Sequence, residues 1–101
     1  MHRVVITGLG ARTSVGLSVD QMWDGLTNGR SGIGPVRSFE QDDRWDVRIA
    51  GEIRDFDPTS ELDVSERKRM DRNSQLGLCA AIEAADQSGI DFESGLSLIH
   101  I

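Results

Sequence analysis

Seven consecutive residues, Leu76-Gly77-Leu78-Cys79-Ala80-Ala81-Ile82, carry no charged or strongly polar side chain through about two turns of an expected helix. A helix that is apolar on nearly every face is stable in water only when neighbouring layers cover it from several sides. The chain has 101 residues, enough for one small domain at most. That leaves little material to enclose such a helix. The expectation is a piece of a larger layered fold.

Elements on either side follow from local chemistry. Arg3-Val4-Val5-Ile6-Thr7 is β-branched and bounded by Gly8, which predicts a short buried strand. Gly8 to Gly16 is glycine-rich and reads as loop. Ser18 with Gln21 three residues later forms a capping box, Met22, Trp23 and Leu26 share one helical face, and Gly29 suits a left-handed C-terminal position. A helix over 19–28 is therefore predicted. Residues 31–63 show no sustained helical period. Ser31 to Pro35 reads as turn, Val47 to Ile53 alternates as a half-exposed strand would, and Asp57-Pro58 turns the chain again. A second strong helix is predicted from about Asp71 to Ser88, ending at Gly89.

Charge is unevenly spread. Residues 1–39 carry four Arg against two Asp, and residues 40–65 carry nine acids against three Arg. Arg67, Lys68, Arg69 and Arg72 then arrive together, with only Glu66 and Asp71 among them. The total is a formal charge of -6, which argues against nonspecific nucleic-acid binding, since that requires clustered cations. No apolar run approaches the roughly 20 residues of a membrane span, and Val4-Val5-Ile6 stops too soon for a signal peptide. The lone Cys79 excludes an internal disulfide and any multi-cysteine metal site. A soluble, intracellular chain is expected.

Gly8-x-Gly10 after a strand invites a dinucleotide-binding reading, but the fingerprint needs Gly or Ala where Thr13 stands, and helix signals begin only at Ser18. A glycine-rich strand exit is the better account. Cys79 lies mid-helix among Leu and Ala, which marks core packing rather than a reactive thiolate. His2 and His100 sit at the chain ends without local partners. The carboxylates of 40–63 read as a solvated face. The Arg67-Lys68-Arg69 knot is either solvated surface or a docking patch for an acidic partner, and composition does not choose between them.

Taken together the blocks resemble a known family. Arg3 to Gly10 followed by Ser14-x-Gly16 looks like the opening strand and loop of β-ketoacyl-acyl-carrier-protein synthases. Trp23-x-x-Leu26-x-x-Gly29-x-Ser31-Gly32-Ile33 is similar to the next block. Ala50-Gly51-Glu52-Ile53-x-Asp55-Phe56 and Lys68-Arg69-Met70-Asp71-Arg72 match two more, and Gln75 to Ile90 looks like the buried helix that follows. Each block alone is weak, but five in register are specific.

The resemblance implies the amino-terminal part of a thiolase-like layered α/β fold over residues 1–95, from an elongating-type member. In the family this fold forms a cytoplasmic homodimer that condenses an acyl chain held on cysteine with malonyl-acyl carrier protein, losing carbon dioxide, in fatty-acid or type II polyketide synthesis. The family's nucleophilic Cys and its two His match no residue here, so no catalytic, cofactor or metal residue is assigned and the chain alone is expected to be inactive. The resemblance also places Arg67, Lys68 and Arg69 where elongating members offer cations to the acyl carrier protein. Leu96 to Ile101 matches no family block and reads as translated adapter sequence at a truncated gene end. The rival from another class is a small non-catalytic binding module that docks an acidic partner through Arg67–Arg72.

Overall fold

Three helices carry the architecture of the computed structural model, which describes residues 2–90. Helix α1 spans Val19–Thr27, α2 Val64–Arg69 and α3 Arg72–Ser88. Between α1 and α2 a two-stranded antiparallel ribbon pairs β1 (Gly34–Pro35) with β2 (Ile49–Ala50), in the register Gly34 to Ala50 and Pro35 to Ile49. A 3₁₀ turn, Pro58–Ser60, precedes α2.

Helix ends are set by side chains. Ser18 caps α1 by accepting from the Gln21 N–H at 3.1 Å, while the Gln21 side chain accepts from the Leu17 N–H at 3.0 Å. Gly29 follows with φ +72°. Asp71 caps α3 through the Ser74 N–H at 2.8 Å, and Gly89 ends it at φ +71°. Both predicted helices stand within a residue or two of their expected limits, because caps act locally.

Helix α3 is the spine. The loop after Gly8 runs along it in the opposite direction. Leu9 donates to the Gln87 side chain at 2.6 Å and Ala11 to Glu83 at 2.9 Å. Two residues of extended chain advance about 6.6 Å and four residues of helix about 6.0 Å, so the two periods stay in step. A side chain at Gly8 would strike the Ala84 carbonyl, and one at Gly10 the Ala80 carbonyl. The Gly8-x-Gly10 pair exists for backbone contact with a helix face of small residues. That accounts for the glycines without a phosphate ligand.

Burial and strand content differ from expectation at several places. Residues 3–7 form no strand: among the described residues no segment pairs with them, and Val4, Val5 and Ile6 are 94%, 73% and 81% exposed. Of the alternating run 47–53 only Ile49–Ala50 is paired, and the expected turn near Ser31–Pro35 contributes β1. The sequence pattern does not predict helix α2. Of the apolar stretch in α3 only Cys79 is fully buried, with Leu76, Leu78 and Ile82 half-buried. The predicted face of α1 is likewise open, Trp23 and Leu26 both being exposed. Leu62 and Cys79 are the two buried hydrophobic side chains among the described residues. Strands and apolar helix faces need partners, and these segments find too few in one another. The tail 96–101 and His100 lie outside the described residues.

Candidate partner-docking surface

The cationic knot is folded into α2 and the start of α3. Asp63 begins α2 by accepting from the Glu66 N–H at 2.8 Å and from the Ser65 hydroxyl at 2.8 Å. These two donors, with Arg67 nearby, hold the Asp63 carboxyl below its usual range. Glu66 falls in the first turn and Arg67, Lys68 and Arg69 in the last, the polarity a helix dipole favours. The signal Asp63-x-x-Glu66 was present in the sequence, but a six-residue helix lacks the apolar period by which longer ones are recognised.

The structure separates the four cations by what they touch. Arg67 is half-buried, and its Nε lies 3.4 Å from the Asp63 carbonyl oxygen. Arg72 donates to the Ile53 carbonyl at 2.7 Å and lies over the Phe56 ring, 5.4 Å from its centre. Lys68 and Arg69 are exposed, and neither makes an ion pair among the described residues. Gln75 ties the two helices together by donating to the carbonyls of Arg67 at 3.2 Å and Met70 at 3.4 Å. The result is a braced platform with two free cations on it.

An ion network around a covered Arg12 braces the 3₁₀ turn that precedes α2 and was not visible in the sequence. The Arg12 side chain is 7% exposed and bridges Glu61 at 2.7 Å and Glu83 at 2.8 Å. Glu83 also accepts from Ala11 and from Val19, the first residue of α1, each at 2.9 Å. Burial opposes the Glu83 charge, yet these N–H donors and Arg12 outweigh it and its carboxyl sits below the ordinary range. Arg12 thereby joins the glycine loop, the residue that ends the 3₁₀ turn, and α3. Its partners stand 49 and 71 residues away in sequence. No local signal announces such a pairing.

Cys79 is where core packing predicts it. Burial raises its thiol to about 11, with Glu61 adding to the effect. A thiol so placed is protonated at neutral pH and unreactive. His2 is exposed.

The model of the "Beta-ketoacyl synthase, N-terminal domain" family matches residues 1–97. The chain belongs to the β-ketoacyl synthase family. This synthase segment is 45% identical over 86 residues to a 3-oxoacyl-[acyl-carrier-protein] synthase 2 of Synechocystis, covering 85% of the chain and 20% of that relative. Similar proteins of the same name occur in Vibrio harveyi, at 37% identity over 89% of the chain and 21% of the relative, and in Coxiella burnetii, at 38% over 89% and 22%. The chain spans about a fifth of the length of these relatives. The resemblance read from five sequence blocks thus holds across nearly the whole chain. Among the described residues no helix is long and apolar enough to cross a membrane.

Proposed function

We propose that this chain is the amino-terminal part of a β-ketoacyl-acyl-carrier-protein synthase of the elongating type. The complete enzyme would join an enzyme-bound acyl thioester to malonyl-acyl carrier protein with loss of carbon dioxide, in fatty-acid synthesis or its type II polyketide counterpart. It would adopt the layered thiolase-like fold as a cytoplasmic homodimer. Its nucleophilic cysteine and two histidines would come from later segments. The part assigned to residues 1–101 is structural support and carrier docking. Support for the enzyme reading comes from the relatives named 3-oxoacyl-[acyl-carrier-protein] synthase 2.

For docking, one observation carries the reading: Lys68 and Arg69 are exposed and free of ion pairs among the described residues, in a chain of net charge -6. Free cations in an acidic surround steer an acidic protein and fix its orientation. Arg67 contributes charge behind them. Reversing Lys68 and Arg69 to Glu in the full-length synthase should slow turnover with carrier-bound malonyl donor by roughly tenfold at low salt. A carrier-free donor should be used as well as before. The loss should shrink as salt rises, because the Debye length is about 8 Å at physiological strength. Equal losses on both donors would assign the knot a structural role and end the docking reading. A reading frame closed after Ile101, with no cysteine and histidine motifs downstream, would instead favour the small binding module.

A further inference from the structure

Arg72 also belongs to a second group of cations. Arg37, Arg54 and Arg72 line one hollow of about 400 Å³, together with Ser38, Glu52 and Ile53. Arg37 follows β1, Arg54 follows β2, and Arg72 opens α3. Three guanidinium groups from three stretches of chain repel one another unless something negative stands between them.

Glu52, the only acid among the described residues on that lining, is already engaged. Glu52 accepts the N–H groups of Arg37 and Ser38 at 2.8 and 2.9 Å and Arg54 at 3.3 Å, and its side chain is 13% exposed. Arg54 and Arg72 are positioned largely by neutral acceptors, the Pro35 carbonyl at 2.9 Å and the Ile53 carbonyl at 2.7 Å. Those bonds fix the guanidinium groups in place without cancelling their charge. The Arg37 side chain has no hydrogen-bonding or ionic partner among the described residues. Three positive groups against one negative leave the hollow at a formal +2. The Arg37 guanidinium keeps its paired N–H donors, whose fork geometry suits a carboxylate.

We infer that the Arg37–Arg54–Arg72 hollow receives a carboxylate side chain of an acidic protein partner, extending the α2 docking surface beyond Lys68 and Arg69. The inference rests on the reading of α2 as a carrier-docking helix. Continuity supports it: Arg72 stands three residues after Arg69, at most about 11 Å away along the backbone. Charge complementarity supplies the rest, since a partner acidic enough to seek Lys68 and Arg69 meets a further +2 in a hollow lined by Arg72, three residues on from Arg69.

The test is a set of charge reversals in the full-length synthase, read as the association rate with acyl carrier protein by stopped flow. Arg37→Glu is the leading variant, because that side chain holds nothing else in place. It should slow association roughly threefold at low salt, the effect fading at high salt and multiplying with that of Lys68→Glu. Arg54→Gln, which keeps a donor for the Pro35 carbonyl, should give a smaller loss of the same salt dependence. A normal rate for Arg37→Glu beside a slow one for Lys68→Glu overturns the hollow and leaves α2 docking intact. A slow rate for Arg37→Glu beside a normal one for Lys68→Glu keeps the hollow and removes α2. Normal rates for both remove both.

Discussion

Cys79 offers a direct measure of whether these residues make a core by themselves. Among the described residues only Leu62 and Cys79 are buried hydrophobic side chains, too few for a core of their own. Val4, Ile6, Trp23 and Val47 are more than half exposed, a surface that favours collapse or association over a unique monomer. The perturbation is therefore separation of residues 1–101 from any longer chain, followed by urea. In the folded arrangement Cys79 is wholly covered and its thiol stands at about 11. At pH 8 about one thiol in a thousand would then be ionised, against about a quarter at the ordinary value near 8.5. Protection from a disulfide reagent should thus reach about 200-fold from ionisation alone wherever the fold holds. For the separated chain the expected rate lies within about threefold of the rate in concentrated urea, with no cooperative transition in helix content. A monomer showing protection of 100-fold or more, lost in one sigmoidal urea transition, would refute this reasoning.

Two further outcomes concern the full-length synthase. Arg12→Met leaves Glu61 and Glu83 facing each other in a covered site; breaking a buried pair costs about 3–5 kcal/mol, and access of both carboxylates to water lowers that to about 2 kcal/mol. Hydrogen exchange at the Ala11 and Val19 amides should quicken about 30-fold, and unchanged exchange would show that the bridge braces nothing. Glu52 concerns acid stability. The Ser38 and Arg37 contacts and Arg54 depress its carboxyl from 4.5 to about 2, so its stabilisation is complete above about pH 4.5 and is lost as pH falls through about 2. The Arg37 and Ser38 amide proton shifts should titrate with a midpoint near 2; a midpoint near 4.5 would mean the carboxylate is free in solution.

Features legible from the sequence alone are local or cumulative. Ser18, Asp71, Gly29 and Gly89 mark helix ends because a cap is a contract between residues three or four apart. The mid-helix setting of Cys79 predicted its burial, and five blocks in register identified the family. Tertiary structure decided the rest. Gly8 and Gly10 needed Ala84 and Ala80 beside them before their purpose showed. Arg12 needed Glu61 and Glu83, and the cationic knot needed α2 to divide free Lys68 and Arg69 from engaged Arg67 and Arg72. Residues 3–7 show the converse, a segment with every local mark of a strand and no strand. A helix closes its hydrogen bonds within itself, whereas a strand, an ion pair between distant residues or a close backbone approach exists only when another part of the molecule supplies the partner.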